Sequence, residues 1–182
     1  MEAQMEQVAR IVRRCLERGA RVEIEGLGLF RPDGKGKFSF VPASQPKVFL
    51  AYVQEDAAAA ERLYRELARS GFDPWMDRKK LLPGQNWPRA IEQAIELADY
   101  FVACLSRRAV GKRGCFQAEL RYALDCARRV PFDQTYFIPV RLEECSVPPR
   151  IRQKIQYVDL FPDWDRGFRA LVAAMKRSRP AE

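Results

Sequence analysis

The segment LSRRAVGKRGCFQAEL, residues 105–120, carries the carboxylate with the most to offer chemistry. An apolar run ends at Leu105, a basic glycine-containing turn follows, and the chain then enters a helical pattern that includes Glu119. Residues 116, 120, 123 and 127 form the apolar stripe of that helix, and Glu119 flanks the stripe at its edge. Two readings are open. In one, Glu119 is a solvated side chain favoured near the positive end of its helix. In the other, it serves a ligand from the rim of a crevice without the full cost of burying a charge.

The rest of the composition narrows the chemistry. There is no histidine, which excludes Ser-His-Asp and Cys-His catalysis by this chain alone and removes the usual ligands of a catalytic zinc. No metal and no cofactor is expected. Cys15, Cys104, Cys115, Cys126 and Cys145 are odd in number and contain no C-x-x-C pair, which fits reduced thiols in the cytoplasm. Cys115 has no visible base or partner to make it a nucleophile. The GLG and GKG triplets in the first segment lack the spacing and the strand-to-helix setting of a phosphate loop. The net charge of +8 reads either as solubility or as attraction for an anionic partner. No window approaches a membrane span and the N-terminus is charged too early for a signal peptide, so a cytoplasmic protein without a membrane partner is expected.

The elements that must position Glu119 begin at Lys47. The preceding segment, 1–44, reads as a small helix plus a hairpin. Val8, Ile11, Val12 and Cys15 share one helix side, and Gly19 stops it. The alternation of Val22 and Ile24 changes phase at Gly26 and resumes on Leu27 and Leu29, which places a bulge or bend there. PDGKG turns the chain towards Phe38 and Phe40, and VPASQP reads as a linker. From 47 to 176, strand-like runs alternate with helical ones: KVFLAY, a helix capped by Asp56, FDPWMD, a helix with Trp87, Ile91, Ala94, Ile95 and Ala98 inward, YFVACLS, the Glu119 helix, TYFIPVRL, QYVDLF and a closing helix. Pro74 gives FDPWMD an edge position. This is an α/β pattern, a flavodoxin-like five-stranded parallel sheet in order 2-1-3-4-5 with helices on both faces.

Ligands of such sheets bind beyond the carboxyl ends of the strands where the order reverses, here between the first and third strands. Three loops meet there: YVQED at 52–56, DRKKLLPGQNW at 77–87 and SRRAVGKRG at 106–114. Each candidate in them also has a plain structural reading. Tyr52 ends a strand, Asp77 can cap its loop, Arg78, Lys79 and Lys80 can be surface charge, Trp75 and Trp87 can be core, and Ser106 can serve a turn.

Four stretches in the same order resemble the Toll/interleukin-1 receptor (TIR) domain of bacterial type: VFLAYVQED, DRKKLLPGQNWPRAIEQAIELAD, YFVACLS with GKRGCFQAEL, and IPVRLEECSVPPRIRQKIQYVDLF. The resemblance implies one of two jobs: an inert scaffold acting by TIR–TIR assembly, or cleavage of NAD at the nicotinamide–ribose bond to give ADP-ribose or a cyclic ADP-ribose signal in bacterial antiviral defence. It implies Glu119 as the essential carboxylate, with Tyr52, Val53, Asp77, Leu81, Ser106, Cys115 and Phe116 around the substrate. Arg78, Lys79, Lys80, Leu82, Pro83 and Gly84 match a loop that completes a neighbouring copy's site, and a separate sensor or effector protein would supply the trigger. Many members of the family carry tryptophan four positions before the glutamate; this chain has Cys115 there, with Phe116 beside it. In the first segment, LERGARVEIEGLGLF resembles the second helix and first hairpin of the HU-like DNA-bending family, which would imply a nucleic-acid partner.

Overall fold

The computed structural model describes residues 2–24, 28–32, 37–42, 45–77, 86–131 and 134–177. The chain forms two compact units that divide between Gln45 and Pro46.

In the first unit, helix α1 (Glu2–Glu17) precedes strands β1 (Val22–Ile24), β2 (Gly28–Pro32) and β3 (Phe38–Pro42), paired antiparallel in the order β1-β2-β3. The expected hairpin is β2–β3, and the phase change near Gly26 separates off a third strand, β1. Residues 25–27 and 33–36, including the PDGKG turn, lie outside the described residues. The start of the expected linker continues β3 through Pro42. The inward side of α1 departs from the expected stripe at Ile11, and the side chain of Val8 lies outside the described residues. Leu16 is buried and Val12 and Cys15 are half-buried, whereas Ile11 is 57% exposed.

In the second unit, the alternation of apolar runs and amphipathic helices produces the expected parallel sheet. Its strands are β4 (Lys47–Ala51), β5 (Asp73–Trp75), β6 (Tyr100–Leu105), β7 (Phe137–Arg141) and β8 (Val158–Asp159), in the order β5-β4-β6-β7-β8. All four pairings are parallel. Every residue of β6 is buried, as a central strand covered on both faces requires. Pro74 does stand on an edge strand, β5. The helices are α2 (Ala57–Arg69), α3 (Trp87–Glu96), α4 (Arg107–Gly111), α5 (Cys115–Ala127), α6 (Pro149–Arg152) and α7 (Trp164–Arg177). Among the described residues no helix is long and apolar enough to cross a membrane.

The alternation of strand side chains makes two cores. On one face Leu63 and Leu67 of α2 and Leu171 and Met175 of α7 pack on Leu50, Val102 and Val140. At the α7 crossing, a Cβ on Gly167 would overlap the carbonyl oxygen of Asp159, so the helix approaches β8 only because that position is glycine. On the other face Ile91 and Ile95 of α3 and Phe116, Leu120 and Ala123 of α5 pack on Phe49, Phe101 and Phe137. The strand register puts one aromatic ring beside the next across four strands. Trp75 stacks on Phe49 with centroids 4.7 Å apart, Phe49 on Phe101 at 5.2 Å, and Phe101 on Phe137 at 5.3 Å. Each such pair adds about 0.5–1.5 kcal/mol beyond its buried area, and the row forms the floor beneath α3 and α5.

Candidate active site

Helix α5 carries Glu119, and its entry is fixed by backbone shape. Gly114, the residue before the helix, has φ of 133°, a conformation that a side chain would strain. The Gln117 amide donates to the Ala109 carbonyl at 3.1 Å and ties α5 to α4. The third loop is therefore more ordered than a plain turn: Ser106 caps α4, its hydroxyl oxygen accepting the Ala109 N–H at 3.0 Å.

Three of the sequence candidates come together beyond the strand ends. Tyr52 follows β4 and donates its phenol hydrogen to Asp77 Oδ1 at 2.6 Å, just past β5. Glu119 is half-buried, and its carboxyl is pushed up to about 7, first by loss of solvent and then by the nearby Asp77 charge. Glu119 also lines a cavity of about 450 Å³ between α3 and α5, together with Trp87, Ile91, Cys115 and Tyr122. It is thus the residue shared by the carboxylate pair and the cavity.

Other candidates lie elsewhere. Val53 is 4% exposed and Phe116 6% exposed, and both sit in the core cluster of the α3–α5 face. Phe116 follows Cys115 by one helical step, so the thiol opens to the surface while the ring turns inward. Ser106 is 2% exposed, and besides accepting the Ala109 N–H it donates to Asp56 Oδ2 at 2.6 Å. Asp56 does hold the expected N-cap position of α2, but that bond diverts its side chain. A 3-10 turn, Gln54–Asp56, precedes α2, and the Asp56 carboxylate makes no capping bond because it receives the Ser106 hydroxyl. Arg78, Lys79, Lys80, Leu81, Leu82, Pro83 and Gly84 lie outside the described residues.

Several basic groups of the third loop are already engaged. Lys112 Nζ bonds both oxygens of Glu55, at 2.6 and 2.9 Å, and Arg107 donates to Glu143 and to the Glu144 carbonyl. The Lys112 bond holds the Glu55 carboxyl below its ordinary range. Cys104 is buried and its thiol is pushed up to about 12, while burial also raises Cys126 and Cys145, so none of the three is an activated thiolate.

The cavity itself was not foreseen from sequence. Trp87, expected in the core, is 52% exposed at the first position of α3, where the Asn86 side chain accepts the Arg89 N–H and Pro88 follows. The available signal was the meeting of two helix faces, 87-91-95 on α3 and 115-119-122 on α5.

A five-stranded parallel sheet in this order, with helices on both faces, defines a flavodoxin-like α/β domain. A family model described as TIR domain matches residues 48–172, and the chain belongs to that family. The uncharacterized protein y4cD of Sinorhizobium fredii (strain NBRC 101917 / NGR234) is 24% identical over 152 residues, covering 83% of this chain and 23% of that protein. The chain therefore spans about a quarter of that relative's length. Among solved structures, the TIR domain of the Toll-related receptor TRR-2 from Hydra magnipapillata is similar with a TM-score of 0.59 and 21% identity, over 71% of this chain and 97% of that one. The CMP N-glycosidase BcmB of Clostridium botulinum is similar with a TM-score of 0.50 and 20% identity, over 70% of this chain and 98% of that one. These likenesses concern the fold.

Proposed function

We propose that the second unit cleaves NAD at the nicotinamide–ribose bond, with Glu119 as the catalytic carboxylate. The observation that carries this reading is a half-buried carboxyl, raised to about 7 by burial and the nearby Asp77, in the wall of a cavity between α3 and α5. NAD brings its own leaving group, a cationic pyridinium that departs as neutral nicotinamide with the bonding electron pair. Positive charge then develops on the ribose ring oxygen and C1. An ionised Glu119 beside C1 stabilises that charge more in the transition state than in the ground state. Water attacks C1 and loses a proton to give ADP-ribose, or a nitrogen of the adenine attacks in its place and closes a ring. No histidine is needed for either outcome. The CMP N-glycosidase of the same fold supports the reading to this extent: the fold accommodates cleavage of a nucleotide's N-glycosidic bond.

Tyr52 and Asp77 act on Glu119 in this scheme. The Tyr52 phenol holds the Asp77 carboxylate; burial first, and then the Asp77 charge, keep Glu119 partly protonated until a cationic substrate arrives and favours its ionised form. The expected pH profile follows from the sign of that shift. A carboxyl pushed up to about 7 is neutral below that pH, so kcat/KM should fall about tenfold per unit below 7 and level off above it. Asp77→Asn removes one of the two causes and should move the acid limb to lower pH, but not to the ordinary carboxyl value, because burial remains. An acid limb unaffected by Asp77→Asn, or activity undiminished at pH 5, contradicts this assignment.

The wider setting belongs to the same proposal. Activity would be raised by assembly with other TIR domains, with the 78–84 segment contributing to a neighbour's site and a separate protein supplying the trigger, in a cytoplasmic bacterial antiviral response. The alternative, an inert scaffold acting by assembly, is favoured by one observation: an exposed thiol, Cys115, stands at the cavity four positions before Glu119 and offers no ring.

A further inference from the structure

We propose that Trp87 is the surface on which the cationic pyridinium ring of the substrate stacks. The inference rests on the reading of the cavity as the NAD site and adds to it a binding residue and the part of the substrate that this wall receives. Trp87 lines the same cavity as Glu119 and is 52% exposed, so an indole is open to the space that also receives the carboxylate. The cap from Asn86 and the adjoining Pro88 hold the start of α3 and so the position of that ring. The cavity lining also has a charge preference. Glu92 and Asp125, the latter paired with Arg128 at 3.5 Å, stand with Arg121 in the lining, and an ionised Glu119 adds the negative charge that favours a cation over a phosphate there. A flat cation between acidic groups and an indole gains from both, since the ring face is the negative side of the aromatic quadrupole. Tyr122, the other ring in this wall, has its phenol bonded to Glu96 Oε1 at 2.5 Å. At about 450 Å³ the space lies in the range of small-molecule sites.

Fluorescence separates this proposal from the chemistry. The chain has three tryptophans. Trp75 is stacked on Phe49, and Trp164 is half-buried with its indole N–H on Glu66, which leaves Trp87 the most open of them. Titration of the full chain with 1-methylnicotinamide, a cation with no bond to cleave, should quench emission saturably. Neutral nicotinamide should bind about tenfold more weakly, and AMP should leave the emission unchanged. Trp87→Leu should abolish the quench. In turnover, Trp87→Leu should raise KM for NAD about tenfold with kcat within about threefold, and Trp87→Phe should restore most of the affinity. A quench that survives Trp87→Leu, an equal response to AMP, or an unchanged KM overturns the proposal. If the cation quenches through Trp87 while no nicotinamide is ever released from NAD, the ring site stands and the catalytic reading fails. If NAD is cleaved through Glu119 but Trp87→Leu changes neither quench nor KM, the reverse holds.

Discussion

Glu119→Gln is expected to lower nicotinamide release from NAD by about 10²–10³-fold, the loss usual when a group aimed at transition-state charge is removed. The amide keeps the shape of the side chain but cannot carry the negative charge that the developing ribose cation requires. The same substitution should act oppositely on stability. Between 4.5, the ordinary carboxyl value, and about 7, the folded chain retains a proton that the unfolded chain has released. Wild-type stability therefore falls as pH rises through that window, because the carboxylate must be ionised in a partly dehydrated place. The Gln variant has no such charge to bury. It should melt above wild type at pH 8 and close to it at pH 4. Activity loss with a pH-dependent gain in melting temperature is the signature of a carboxylate held for function. A melting difference independent of pH, or release within threefold of wild type, would remove Glu119 from the reaction.

The second large effect concerns the floor beneath the site. Phe101 is fully buried on the central strand β6 and stacks on Phe49 and Phe137, at 5.2 and 5.3 Å. Phe101→Ala removes both ring contacts and leaves a void that the close-packed sheet cannot refill, at a cost of about 3–5 kcal/mol. Against a typical total of about 5–15 kcal/mol, that is a large share of the stability. The melting temperature should fall by roughly 6–20 °C. Because the ring belongs to the cluster that seats Ile91, Ile95, Phe116 and Leu120, cleavage should weaken as well, through looser α3 and α5. Val102→Ala lies on the opposite face, under α2 and α7, and should lose stability with less effect on cleavage. A Phe101→Ala protein melting within about 2 °C of wild type would show that the aromatic row is not what supports the site.

The sheet was legible in the sequence because its determinants are local. A short continuous apolar run such as YFVACL, too short for a helix and rich in strand-forming residues, suits a strand buried on both sides, and Pro74 disfavours a central ladder, so the strand types and the edge position followed from residue pattern. Tyr52, Asp77 and Glu119 could be named because parallel sheets bring loops together at one edge. What escaped was set by distances between elements. The cavity exists because α3 and α5 stand a certain way apart, and no spacing within either helix encodes that. Trp87 shares a stripe with the buried Ile91 and Ile95, yet at the first position of α3 that stripe opens onto the cavity. Asp56 stands at the N-cap position of α2, where short carboxylates usually bond the first amides. The competing partner, a buried Ser106 hydroxyl fifty residues away, appears only when β4 and β6 are placed side by side.

Chromatography of NAD incubated with the wild-type chain over a wide range of protein concentration tests the central claim most directly. Nicotinamide should appear in equal amounts with ADP-ribose or its cyclised form, rising faster than in proportion to protein where copies assemble. NAD left intact at every concentration, or split at the pyrophosphate into nicotinamide mononucleotide and AMP, would contradict it.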